Sequence, residues 1–476
     1  MRFVAIDQGT TSTRSLIVDA DGHAQIAASV SHQQYYPQKG WVEHDPHELV
    51  AAVTQCLKAV DGTDGFGIAN QGESCLAWDA RDKRPLCRVI VWQDNRTEKE
   101  IARLKAEGVE AWAQGISGLP LDSYFSASKF GWIMKNLPEA RRLASNGNLR
   151  LGTTDAYFRD VLTGQFATDP STASRTALLN LQTGRWDKSL CQLFGVPIEC
   201  LPEILPTTGE LGISHMRDCR APLFASIVDQ QAALYGHGCR APGQGKVTFG
   251  TGAFALMLTG DQKPIVPEGS GLLPTIAWQR HGEEPTYALE GGVYTASAVV
   301  SWLQRLGIVE DIEAIESFDG PSPMRSGTVF VPALAGLACP YWRRDVRASW
   351  MGLSLDTHRD DLVRSALEGV ACRSAQVLGA MAQSGVSLHD LGMDGGLANN
   401  RWFQQLMANV LQRPIRLPSL SELTAAGVLA LIADTSEFPL NLSHQEKLVQ
   451  PRVDESDLVG ILERAIDLTS GWPLAS

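Results

Sequence analysis

No uninterrupted apolar run in the sequence reaches the roughly 20 residues that a membrane-spanning helix needs, so membrane insertion is not expected. The amino terminus has one basic residue and a short apolar run that ends at Asp7, the pattern of neither a secretory signal nor an anchor. Cys-x-x-Cys is missing. The nine cysteines scatter from Cys56 to Cys372 without a histidine at zinc spacing, which speaks for reduced thiols in a cytoplasm and against a structural metal. There is no Gly-x-x-x-x-Gly-Lys-Ser/Thr, so a P-loop is not the means of holding phosphate. Positive charge is also in short supply. The formal net charge of -12 argues against nucleic acid or an anionic membrane as the main partner and leaves small molecules.

What is present is a chain of 476 residues, 44% hydrophobic and 20% charged, long enough for two domains with sizeable cores. Its most informative stretch is Asp7-Gln8-Gly9-Thr10-Thr11-Ser12-Thr13-Arg14, set between the apolar Phe3-Val4-Ala5-Ile6 and Leu16-Ile17-Val18. This reads as strand, tight turn, strand. Gly9 lets backbone approach a ligand, successive N–H groups and hydroxyls can face oxyanions, and Asp7 can hold a cation. An ordinary hairpin would need no more than one glycine and some polar residues. A second copy separates the two readings: Val247-Thr248-Phe249, then Gly250-Thr251-Gly252-Ala253, then an apolar run from Phe254 to Leu258. The duplication implies two related domains, each offering a hairpin to one polyphosphate.

Strands alternating with helices imply an α/β fold with largely parallel pairing. A helix start is marked by Asp45 as N-cap, Pro46 in the first turn and Glu48 to close a capping box. Strands are expected at 66–69, 89–92, 222–228, 329–332 and 391–393. Helices are expected at 155–162, 230–235, 294–306, 359–383, 399–411 and 425–433, with an amphipathic tail at 454–468, and the polar stretch after Phe166 reads as loop. The glycine-rich stretch 236–245 divides the chain into domains 1–238 and 239–476. Asp7, Asp229 and Asp394 all end strands. Each alone could cap a helix, but together they could converge on one crevice beyond the strand ends.

In sequence order the chain also carries Gly40-Trp41-Val42-Glu43-His44-Asp45-Pro46, Val89-Ile90-Val91-Trp92-Gln93, Tyr124-Phe125-Ser126, Ala173-Ser174-Arg175-Thr176 and Asp229-Gln230-Gln231. Phe249-Gly250-Thr251-Gly252, Tyr287-Ala288-Leu289-Glu290-Gly291, Pro340-Tyr341-Trp342 and Asp394-Gly395-Gly396 follow, with Ala398-Asn399-Asn400 after them. With residues 7–14, these motifs resemble the FGGY carbohydrate kinases over nearly the whole chain, and among them the glycerol kinases. The resemblance implies duplicated actin-like domains of the ribonuclease H type with a substrate and ATP cleft between them. It implies a cytoplasmic enzyme that transfers phosphate from ATP, with Mg2+, to a small polyol or sugar, glycerol to glycerol 3-phosphate first. Asp229 is then the catalytic base, and Asp7 with Asp229 the magnesium-linked carboxylates. Thr10, Thr11, Ser12, Arg14, Gly250 and Thr251 fall at the phosphates, and Gly395, Gly396 and Asn399 on the adenosine side. Glu73, Trp92, Tyr124, Asp229, Gln230 and Phe254 fall around the acceptor, with Gly72 beside them. Self-association as a homodimer or homotetramer stays open.

The pattern breaks at Asn70-Gln71-Gly72-Glu73-Ser74, where glycerol kinases carry Asn-Gln-Arg-Glu-Thr. Losing a guanidinium with its several donors opens volume, so a four- or five-carbon polyol or ketose of the erythritol or xylulose type is the alternative acceptor. The stretch 212–221 is short beside many bacterial glycerol kinases, and Arg343-Arg344-Asp345 is more basic than their pattern. A non-kinase ATPase of the actin superfamily shares the first turn but not the Asp229-Gln230 pair. A non-catalytic sensor would have no need of Asp229.

Overall fold

The structure, a computed structural model, describes residues 2–18, 23–60, 62–216, 219–313, 315–436 and 446–469. Its frame is a five-stranded sheet made of β1 (Phe3–Gln8), β2 (Ser12–Val18), β3 (Ala24–Ser31), β4 (Gly65–Asn70) and β5 (Leu223–Val228), in the order β5-β4-β1-β2-β3. Strands β1, β2 and β3 form an antiparallel meander, while β4 and β5 add in parallel beside β1. The second sheet holds β6 (Gln244–Phe249), β7 (Ala253–Gly260), β8 (Leu273–Trp278), β9 (Thr286–Val293), β10 (Asp390–Asp394), β11 (Ile415–Pro418) and β12 (Glu446–Val449). Its order is β8-β9-β7-β6-β10-β11-β12, so β9-β7-β6-β10-β11 repeats the first arrangement, with one strand added at each edge. The pairing is therefore mixed rather than largely parallel. Turns of a few residues can join only antiparallel strands, and both glycine turns do that.

Four helices matter to the site: α1 (Pro46–Lys58), α2 (Asp229–Gly236), α3 (Arg359–Ala382) and α4 (Leu423–Ser436). Asp45 caps α1 by accepting from the His47 N–H at 2.8 Å. The capping box does not close, because the Glu48 carboxylate accepts instead from the Tyr35 hydroxyl at 2.7 Å. Helix α4, late in the chain, packs on β1, β4 and β5 of the first sheet and crosses α2. A Cβ on Gly427 or on Gly236 would fall on the other helix's backbone, so glycine at both positions permits the close crossing. Ala5, Ala69 and Ile227 thus share one core with Leu256, Ala426 and Leu431, and the two halves are joined by buried apolar surface.

Several expected elements shift. Only Val89–Ile90 forms a strand, so Trp92 lies beyond it, and the expected helix at 294–306 begins at Ser297. The expected helix from 399 begins at Arg401, after a 3-10 turn at Gly396–Asn399. The stretch after Phe166 is not loop but buried structure: Ala167–Thr168 pairs with Glu203–Ile204, and Pro170–Ala173 is a short helix. Asp169 caps that helix, accepting from the N–H groups of Ser171 and Thr172 and from the Thr207 hydroxyl. One buried carboxylate thereby satisfies the polar groups that made the stretch look solvated. In 212–221, residues 217 and 218 lie outside the described residues.

Candidate active site

The first turn closes with the Gly9 N–H donating to the Ser12 carbonyl at 3.0 Å. Thr11 is exposed, Ser12 half-buried, and the Thr10 hydroxyl accepts from the Trp92 indole N–H at 3.2 Å. Arg14 stands opposite Asp7 in the β1–β2 register, but its guanidinium goes to Glu422, just ahead of α4, with both oxygens at 3.0 Å. In the second turn, the Thr251 carbonyl accepts from Ala296 and Ala298, and that of Gly250 from Ser297. This seats the N-terminus of the helix Ser297–Arg305 against the turn. A groove of about 700 Å3 opens there, lined by Thr251, Ser297, Ser301, Gln304 and Arg305. Gly395 has φ +94°, and a side chain there would meet the Phe249 backbone, whereas Gly396 and Asn399 are exposed beside it.

Asp229 lies within reach of the charge of Asp7, and Lys246 within reach of the charges of Asp229 and Asp394. Asp229 opens α2, and its carboxylate accepts from the Gln230 N–H at 2.6 Å. Burial, reinforced by the charge of Asp7, pushes its pKa up to about 7. Burial and then the charge of Glu422 push Asp7 to about 7 as well, against the pull of Arg14. Lys246, from β6, donates to the Gln230 Oε1 at 2.6 Å and to the Thr248 hydroxyl at 2.8 Å, and its charge acts on both Asp229 and Asp394. Asp394 pairs with His237 Nε2 at 2.9 Å, while its buried Oδ1 has no hydrogen-bond partner.

These shifts fix the sign of a pH dependence. Folded-state values near 7 against 3.8 for the free carboxyl mean that, between those limits, the folded chain keeps protons that the unfolded chain has released. The stabilising contribution is complete at acid pH and is lost as pH rises towards 7. Urea unfolding of ligand-free protein at about pH 5 and about pH 8 is expected to show that loss, and Asp7→Asn to reduce it. An identical pH slope in the two proteins would refute the assignment.

On the acceptor side, the turn after β4 puts Glu73 at φ +54° and turns its carboxylate to Arg175, which donates through Nε at 2.7 Å. The Arg175 Nη2 donates to Glu290 on β9 at 3.0 Å, so a guanidinium only 2% exposed links carboxylates from both halves. Trp92 and Tyr124 meet edge to face at 5.6 Å, and the Lys129 ammonium donates to the Tyr124 carbonyl at 2.7 Å. Beside them lies a cavity of about 220 Å3 walled by Trp92, Asp122, Tyr124, Phe254, Glu290 and Arg344. A Cβ on Gly72 would stand 2.9 Å from the Val228 Cγ2, so a side chain there requires Val228 to shift.

Sequence reasoning missed Arg175, Glu290, Lys246 and Asp122 as parts of this site. Arg175 and Glu290 sit inside family motifs, but nothing local marks an arginine as buried or names its partners over 100 residues away.

The model of the FGGY family of carbohydrate kinases matches through its N-terminal domain at residues 2–236 and through its C-terminal domain at 245–434. A glycerol kinase of Alkalilimnicola ehrlichii is 41% identical, with 90% of this chain and 89% of that protein covered. One of Citrifermentans bemidjiense is 38% identical over 98% and 97%. Among solved structures, a Plasmodium falciparum glycerol kinase with ADP superposes with a TM-score of 0.89 at 28% identity, covering 99% of each chain. Among the described residues no helix is long and apolar enough to cross a membrane. With both family domains in order and relatives matched nearly end to end, the chain belongs to the FGGY carbohydrate kinases.

Proposed function

We propose that this protein phosphorylates a primary hydroxyl of glycerol or a closely related polyol with ATP and Mg2+, in a reducing cytoplasm, using domains 1–238 and 239–476. The observation that carries this reading is the setting of Asp229: a half-buried carboxylate at a helix start, within reach of the charges of the acceptor-side Glu73 and Glu290 and of the phosphate-side Asp7 and Lys246. A carboxyl poised near neutrality orients the attacking hydroxyl and takes its proton as the new O–P bond forms and the bond to ADP breaks. Thr10, Thr11, Ser12, Gly250 and Thr251 surround the polyphosphate in this reading. Gly395, Gly396 and Asn399 take the adenosine, and Arg14 contributes only on leaving Glu422.

The acidic residues suit a hydrated magnesium ion. Among the described residues no three His, Cys, Asp or Glu gather as a metal cage. Asp7 and Asp229, whose pKa values burial and a neighbouring carboxylate both raise, would offer the one or two carboxylates that such an ion takes beside its waters. Once bound, the ion neutralises charge on the transferring phosphate. Lys246 holds the Gln230 carbonyl oxygen, which leaves the Gln230 amide N–H2 to donate to an acceptor hydroxyl. Coupled ADP release over glycerol, erythritol, xylitol, ribulose and xylulose tests the reading. Turnover with at least one acceptor is expected, and silence with all of them would end it.

A further inference from the structure

We propose that Arg344 and Asp122 form a distal subsite of the acceptor pocket that reads hydroxyls beyond the third carbon of a neutral four- or five-carbon polyol or ketose. The inference rests on the kinase reading and concerns which acceptor the pocket prefers.

The two basic residues after Trp342 part company in the fold. Arg343 turns to Asp345 two residues on, whereas Arg344 joins the wall of the 220 Å3 cavity. There its Nη2 lies 3.3 Å from each oxygen of Asp122, and its guanidinium carbon sits 5.3 Å from the Tyr294 ring centre. The pair crosses the cleft, Asp122 from the first half and Arg344 from the second. Asp122 is 13% exposed and Arg344 48%, which puts the carboxylate deep in the wall and the guanidinium at the mouth.

Size and charge narrow the ligand. A cavity of 220 Å3 has room for roughly seven waters at about 30 Å3 each, more than three carbons with their hydroxyls require. Trp92, Tyr124 and Phe254, expected around the acceptor, line this cavity together with Asp122 and Arg344. The guanidinium of the glycerol kinase pattern is missing at Gly72, and Arg175 is committed to Glu73 and Glu290. Arg344 is the one arginine among the described residues that line the cavity. It donates to hydroxyl oxygens while Asp122 accepts from hydroxyl hydrogens, a matched pair for a vicinal diol. An anionic tail fits less well, since the lining sets two carboxylates, Asp122 and Glu290, against one guanidinium.

The test compares wild type with Arg344→Ala, Arg344→Lys and Asp122→Asn by coupled ADP release on glycerol, erythritol, xylitol and xylulose, with each variant's melting temperature as a folding control. Losing hydrogen bonds from a charged group should lower the ratio of kcat/KM on the longer acceptors to that on glycerol by about ten- to a hundredfold in Arg344→Ala, mostly through KM. Arg344→Lys should recover part of it. The same loss on every acceptor would mean that the pair only latches the two halves and would overturn the proposal. So would an unchanged ratio, or a wild type that turns over nothing longer than glycerol. If wild type releases no ADP with any acceptor, the kinase reading fails separately. Calorimetric titration of xylitol into wild type and Arg344→Ala still decides the subsite, with tenfold weaker binding supporting it and equal or absent binding refuting it.

Discussion

Asp229→Asn is expected to lower kcat by about 10²- to 10⁴-fold, the range for removing a positioned general base. Nucleotide binding should survive, because the two glycine turns and the groove beside Thr251 do not depend on that carboxylate. The variant should also be no less stable than wild type above neutral pH. Its amide replaces a half-buried group whose ionisation is opposed by desolvation and by Asp7, so the substitution removes an unfavourable charge. Catalytic loss and folding loss therefore part in opposite directions. The measurement pairs single-turnover phosphoryl transfer with thermal melting and ADP titration at about pH 8. Transfer within tenfold of wild type would refute the assigned role.

Arg175→Met is expected to be the most destabilising single substitution at the site. The Arg175 guanidinium is the shared partner of Glu73 and Glu290, all three buried, and its removal strands two carboxylates in a poorly solvated interior. Breaking a buried ion pair by deleting one partner costs about 3–5 kcal/mol, because the remaining charge is left without compensation. The loss should narrow towards about pH 5, where Glu73, whose pKa burial pushes up to about 7, is protonated. Arg175→Lys should recover little, since a single ammonium cannot present the Nε and Nη2 donors to two carboxylates at once. Urea unfolding of the three proteins at two pH values decides it, and a midpoint for Arg175→Met close to wild type would sink the idea. Glu73 and Glu290 come from different halves of the chain, so the same substitution should also loosen the acceptor pocket.

How much of this was readable in advance depended on the range of the interactions. The two glycine turns, the long helix ending at Ala382 and the cap at Asp45 are written in residues a few positions apart, and each stands where its pattern puts it. The capping box failed because Glu48 found Tyr35, a competitor from a neighbouring segment. Residues 167–173 looked like loop because their polarity was visible and the buried Asp169 that satisfies it was not. Arg14 read as a phosphate contact from its place in the turn. Its tie to Glu422, 408 residues away, exists only once α4 lies on the first sheet.

By itself the sequence determined the family and its reaction class, through motifs in a fixed order, and the two glycine turns, because such turns act through local backbone geometry. It also determined that the arginine of glycerol kinases is absent at Gly72. Tertiary structure alone decided which charges meet: Arg175 between Glu73 and Glu290, and Arg344 against Asp122. Those pairs join residues from distant parts of the chain, and the pKa of Asp229 and the shape of the acceptor pocket follow from burial and charge summed over all of them. Such sums are properties of packing in three dimensions, with no counterpart in the spacing of residues along the chain.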